Sequence, residues 1–223
     1  MEPTIPTPYR ADPESWRAAA ASLERSPLNR VIYTLWRRWE RFNTGTLMGL
    51  EPVVAGRPSI FRIRPARYRG APVRLEDGTW LRPGDPIGDL HFVTDALLGA
   101  HAVTRGPVQL ATYLARLAED SLHVLADFIA QTEPYRQVVA VHGITLIHRG
   151  ARRLGFTVWD LPPGFKRSFL SFYLRAFLST MHPGTLSRVR QRRALLHVKH
   201  VAMSRELLLQ RYGSPAGAGP TLP

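Results

Sequence analysis

The chain has 223 residues, 44% of them hydrophobic, and a formal charge of +13; that length supports one domain with a real core. Cysteine is absent, which excludes disulfides and thiolate metal sites. No run approaches the roughly 18 apolar residues of a membrane-spanning helix.

Met1 to Trp16 is proline-rich and carries Glu2, Asp12 and Glu14, unlike the basic start and apolar stretch of a secretion signal. A cytoplasmic location is expected, with peripheral membrane association as a possible addition. Residues 1–13 and 214–223 read as flexible tails around a single domain at 14–213.

In chain order, a first helix is predicted over Pro13–Leu23. After Pro27 a second aligns Leu28, Val31, Ile32, Leu35, Trp36, Trp39 and Phe42 on one face, with Arg30, Arg37, Arg38 and Arg41 on the other. Such a basic amphipathic helix either packs on the domain or lies on an anionic membrane.

Alternation from Ile60 to Arg64 predicts a strand that separates Phe61 and Ile63 from Arg62 and Arg64. Val73 and Leu75 lead to Asp77-Gly78, a hairpin signal, before Trp80 and Leu81. Arg82-Pro83-Gly84-Asp85 makes a second turn, and Ile87–Val93 a further strand.

Helical spacing predicts a helix over 107–131. Val138–Val141 reads as a strand, Gly143–Leu154 as a helix stopped by Gly155, and Phe156–Trp159 as a short strand. Phe165–Met181 is expected to be helical and Leu195–Ala202 extended. Ser204 suits the N-cap of a last helix, Arg205–Tyr212. The whole reads as an α+β fold, a small and mostly antiparallel sheet with packed helices.

Asp85, Asp89 and His91 form the densest titratable group. Strand periodicity places Asp89 and His91 on one face, where a carboxylate can orient an imidazole as an acid–base pair. Asp85, Arg62 and Arg64 are candidate ligand-binding residues. Alternatively, Asp85 organises its turn and His91 is a satisfied edge histidine.

His197 and His200 point to opposite sides of a strand, and no His-Glu-x-x-His helix occurs. No metal and no cofactor is expected. Phosphate-cradling glycine motifs and a Gly-x-Ser-x-Gly elbow are absent as well.

Of the 30 basic residues only Lys166 and Lys199 are lysines. Arg149, Arg152, Arg153, Arg190, Arg192 and Arg193 are candidates for an anion-binding surface in the second half. Coding bias in a GC-rich genome produces the same arginine excess without any ligand.

The segment Leu75-Glu-Asp-Gly-Thr-Trp-Leu-Arg-Pro-Gly-Asp85-Pro-Ile-Gly-Asp-Leu-His91-Phe resembles the signature of the YkoP-like domain family. Arg153-Leu-Gly-Phe156-Thr-Val and Met203-Ser-Arg-Glu-Leu-Leu-Leu-Gln-Arg-Tyr212-Gly are similar in character, so the likeness spans roughly residues 28–213. That bacterial family occurs alone or behind polysaccharide deacetylase domains, which implies a setting in cell-envelope polysaccharide metabolism. The chain lacks a deacetylase's aspartate-pair motif and paired-histidine metal motif, so that chemistry is not expected.

The expected function is a non-catalytic accessory or binding domain. Its partner would be an anionic membrane surface or a protein of the polysaccharide pathway. An enzyme built on Asp89 and His91 is the alternative; nucleic-acid or other polyanion binding by the arginine-rich half ranks below both. The oligomeric state is not readable from the sequence.

Overall fold

The computed structural model describes residues 51–52, 59–93, 96, 99–100, 104, 107–145, 148, 150–162 and 198–214. The expected helices at 13–23, 28–42 and 165–181 lie outside these residues, as do Arg149, Arg190, Arg192, Arg193 and His197.

A sheet in the order β1-β2-β5-β6-β8-β7 forms the centre of the fold. Its strands are β1 (Glu51–Pro52), β2 (Phe61–Arg67), β5 (Pro86–Phe92), β6 (Ala140–Thr145), β7 (Thr157–Asp160) and β8 (Lys199–Ser204). A separate hairpin joins β3 (Val73–Arg74) to β4 (Trp80–Leu81). Neighbouring strands of the main sheet run antiparallel, apart from the parallel pair β5–β6. The sheet is therefore mixed. A parallel pair needs a crossover between its strands, and α1 (Pro107–Gln131) lies within that connection.

Side-chain alternation divides the sheet into two unlike faces. One carries Phe61, Ile63, Leu90, Val141, Val201 and Met203, all buried in one apolar cluster. Against it α1 packs Leu117, Leu122, Leu125 and Ile129, and α2 (Arg205–Tyr212) packs Leu208 and Tyr212. The Ile60 amide donates to Ser121 Oγ at 3.0 Å, joining α1 to the start of β2. α2 starts where the sequence predicts, with Ser204 Oγ accepting from the Leu207 amide as an N-cap.

The other face is apolar only at one end. There the hairpin buries Leu75 and Leu81 with Tyr68, Ile87, Ala140 and Ala202. Its turn uses Gly78 at φ 91°, a conformation open to glycine. Asp77 accepts from the Thr79 amide at 3.2 Å and from Ser204 Oγ, fixing the turn to the end of β8.

The helix expected over Gly143–Leu154 is not formed. β6 continues through Thr145, and residues 150–155 form turns. β6 is a central strand, hydrogen-bonded on both edges and buried on both faces, so its apolar run lacks the alternation of a half-buried strand. Gly143 also lies close to β5, where an added Cβ would approach the Leu90 carbonyl oxygen to 3.0 Å. Gly155 does end the turns, at φ 92°.

Candidate functional site

Beyond the hairpin, the second face of the sheet carries polar side chains in two cross-strand rows. Register pairs Arg64 with Asp89, and Asp89 with His142. In the next row Arg62 pairs with His91, Ile144 with His200, and His200 with Trp159.

Asp89 is the hub of the first group. Its Oδ2 accepts from Arg64 Nε at 2.9 Å and from Arg64 Nη2 at 2.7 Å. His91 Nε2 lies 3.1 Å from the same oxygen. The Asp89 side chain is 18% exposed, against 28% for Arg64 and 36% for His91, so the carboxylate lies deepest and the imidazole faces outward.

Burial opposes a charge on Asp89, but the hydrogen bonds and charges of His91 and Arg64 outweigh it. The carboxyl is thereby held below its ordinary value of 3.8. Ionised Asp89 orients the His91 ring, and Arg64 fixes Asp89 in turn.

A second group lies across β6, β8 and β7. His142 Nε2 and His200 Nδ1 are 2.9 Å apart, so one ring donates and the other accepts. The two nitrogens of that bond cannot both be protonated. Trp159 stacks on His200 with ring centroids 5.1 Å apart and an interplanar angle of 19°. Tyr68 meets His142 edge-on at 5.6 Å, and His142 is buried.

The sequence places Asp89 with His91 on one face of a strand and Arg62 with Arg64 on one face of another; the β2–β5 register brings the two pairs onto the same face of the sheet. Asp85 does not join them. Its carboxylate accepts from the Arg82 amide at 2.6 Å and shapes the turn before β5. Arg152 approaches Glu76 at 3.6 Å and donates to the Val158 carbonyl, while Arg153 is exposed.

The imidazole pair and Trp159 escape sequence reasoning, because His142 and His200 are 58 residues apart. One signal was available: extending the 138–141 alternation by one residue puts His142 on the face of Ala140. Among the described residues, no group of three or more histidines and carboxylates converges on a possible metal position.

A model of the YkoP domain matches residues 29–212. The chain belongs to the YkoP domain family. It is 29% identical over 111 residues to the uncharacterized protein YkoP of Bacillus subtilis (strain 168), covering 50% of this chain and 61% of that protein. No solved structure matches the chain. The YkoP match takes in every strand of the sheet and both groups of polar residues described above.

Proposed function

We propose that this YkoP-family chain is a non-catalytic accessory or binding domain of cell-envelope polysaccharide metabolism, acting from the cytoplasmic side. Its ligand contacts the face carrying Arg62, Arg64, Asp89, His91, His200 and Trp159. The observation behind this is the presence of charged and aromatic side chains where the opposite face has a packed apolar core. Guanidinium, carboxylate and imidazole groups bond well to hydroxyl-rich or anionic ligands. The pathway rests on the expectation, carried by the family resemblance, that such domains occur attached behind polysaccharide deacetylase domains.

Contact with an anionic membrane is part of the same proposal. Trp80 is 48% exposed on the hairpin, directly opposite Arg74, and Arg82 is exposed two residues on. Indole rings and arginines together suit a lipid headgroup layer. Among the described residues, no helix is long and apolar enough to cross a membrane.

The test compares wild-type and Asp89→Ala protein on a glycan array, and wild-type and Trp80→Ala protein in sedimentation with anionic liposomes. Binding lost in the matching variant supports the reading. No binding by the wild type to glycans or liposomes at physiological salt removes it.

The Asp89–His91 contact favours a second reading, in which His91 acts as a general base oriented by Asp89. Turnover of acylated or phosphorylated sugars that disappears in His91→Gln would replace the binding reading. Polyanion binding through the arginines is a third outcome, recognised by nucleic-acid affinity that falls steeply with salt.

A further inference from the structure

Four arginines of the β2–β4 region, Arg67, Arg69, Arg74 and Arg82, are exposed and need no partner beyond water. Arg62 and Arg64 differ, because both are half-buried on the polar face of β2. Arg64 has a carboxylate partner in Asp89. Arg62 has none: its side chain forms no hydrogen bond or ion pair among the described residues. Its cross-strand neighbours are Pro52 and His91, neither of them acidic.

The nearest carboxylate along β5, Asp89, is already bound through one oxygen by Arg64 and His91. Asp89 is thus committed to Arg64 and His91, and Arg62 has no carboxylate of its own among its cross-strand neighbours. A guanidinium partly withdrawn from water and left unpaired is unfavourable unless an anion completes it. Beside it stands an imidazole whose Nε2 is anchored on Asp89, leaving Nδ1 for a ligand.

We infer that Arg62 and His91 form the seat for an anionic group of the ligand, a phosphate or carboxylate carried on a sugar, with Arg64 and Asp89 as positioning residues. This rests on the binding-face reading above and narrows its ligand class from glycans in general to anionic ones. Arg62 supplies a planar fork that matches either oxyanion in two parallel hydrogen bonds. His91, whose Nε2–H donates to Asp89, supplies one further donor at Nδ1 when the ring carries a proton on both nitrogens.

Inorganic phosphate, trigalacturonate and the neutral trisaccharide maltotriose, each titrated into the full chain, test the seat. Binding is read by calorimetry and by the NMR signals of the His91 ring. The expected result is that phosphate or trigalacturonate moves the His91 signals. Arg62→Ala should weaken that anion by about tenfold or more, and Arg62→Lys by less.

Arg116→Ala, which removes an exposed charge on α1, the helix packed against the opposite face of the sheet, should leave the affinity unchanged. Response to phosphate alone assigns a phosphorylated ligand, and response to trigalacturonate alone a uronate. If neither anion moves His91, or if Arg62→Ala and Arg116→Ala weaken binding equally, the seat is refuted. Maltotriose binding without anion binding also refutes it while leaving the binding-face reading intact; silence from all three probes counts against both.

Discussion

The two faces of the sheet use the same strands for opposite ends. On one, Phe61, Ile63, Leu90, Val141 and Met203 meet the apolar sides of α1 and α2. On the other, the residues between them in sequence are Arg62, Arg64, Asp89, His91 and His142, and all of these but Arg62 are joined to a polar neighbour by an ion pair or a hydrogen bond. Burying polar groups costs free energy unless each is paired, and even then gives little net stability. A well-packed apolar pair in place of Arg64 and Asp89 is expected to fold nearly as well. On the proposed reading, the polar face serves a ligand more than it serves stability.

The largest expected effect belongs to the apolar face. Leu122 is fully buried between α1 and the sheet, so Leu122→Ala should lower stability by about 3 kcal/mol in urea denaturation. A loss below 1 kcal/mol would mean that α1 does not close the core as described.

On the polar face, Asp89→Ala leaves Arg64 half-buried without its partner and should cost about 2 kcal/mol. Replacing both residues by apolar ones in Arg64→Leu/Asp89→Leu should recover most of that loss. Failure to recover would show that the pair stabilises the fold, against the division drawn above. Ser204→Ala removes the α2 cap and the tether to Asp77, and should cost about 1 kcal/mol in the same assay.

Acid should separate the carboxylates from the core. The folded-state pKa of Asp89 lies below its ordinary value of 3.8, so the folded chain binds that proton less readily than the unfolded chain. The resulting stability is complete above the ordinary carboxylate range and is lost as pH falls through the lower folded value. Asp77 is also lowered; burial opposes its charge, but bonds from Ser204 and Thr79 outweigh that. Asp89→Asn should thus flatten only part of the acid decline in melting temperature, and an unchanged decline would contradict the assigned cause.

Local chemistry was legible in the sequence and distant pairing was not. The hairpin, α1 and the Ser204-capped α2 follow from turn residues, spacing and a cap that act within a few residues. Asp89 and His91 share a strand, so their period alone brings them together. Gly143 to Thr145 misleads because central position hides alternation. The bond between His142 and His200 depends on β6 lying beside β8, a neighbour relation that no residue near either histidine encodes. Arg62 and Arg64 look equivalent in sequence, and only the register with Asp89 shows that one is paired and the other is not.

The most direct test of this division between faces is the stability of Arg62→Ala, measured by urea denaturation without ligand. A binding residue whose side chain has no partner in the fold should leave the unfolding free energy within about 0.5 kcal/mol of wild type, or raise it. A loss of about 2 kcal/mol or more would show that Arg62 holds the fold together, and the claim that the polar face exists to bind would fail.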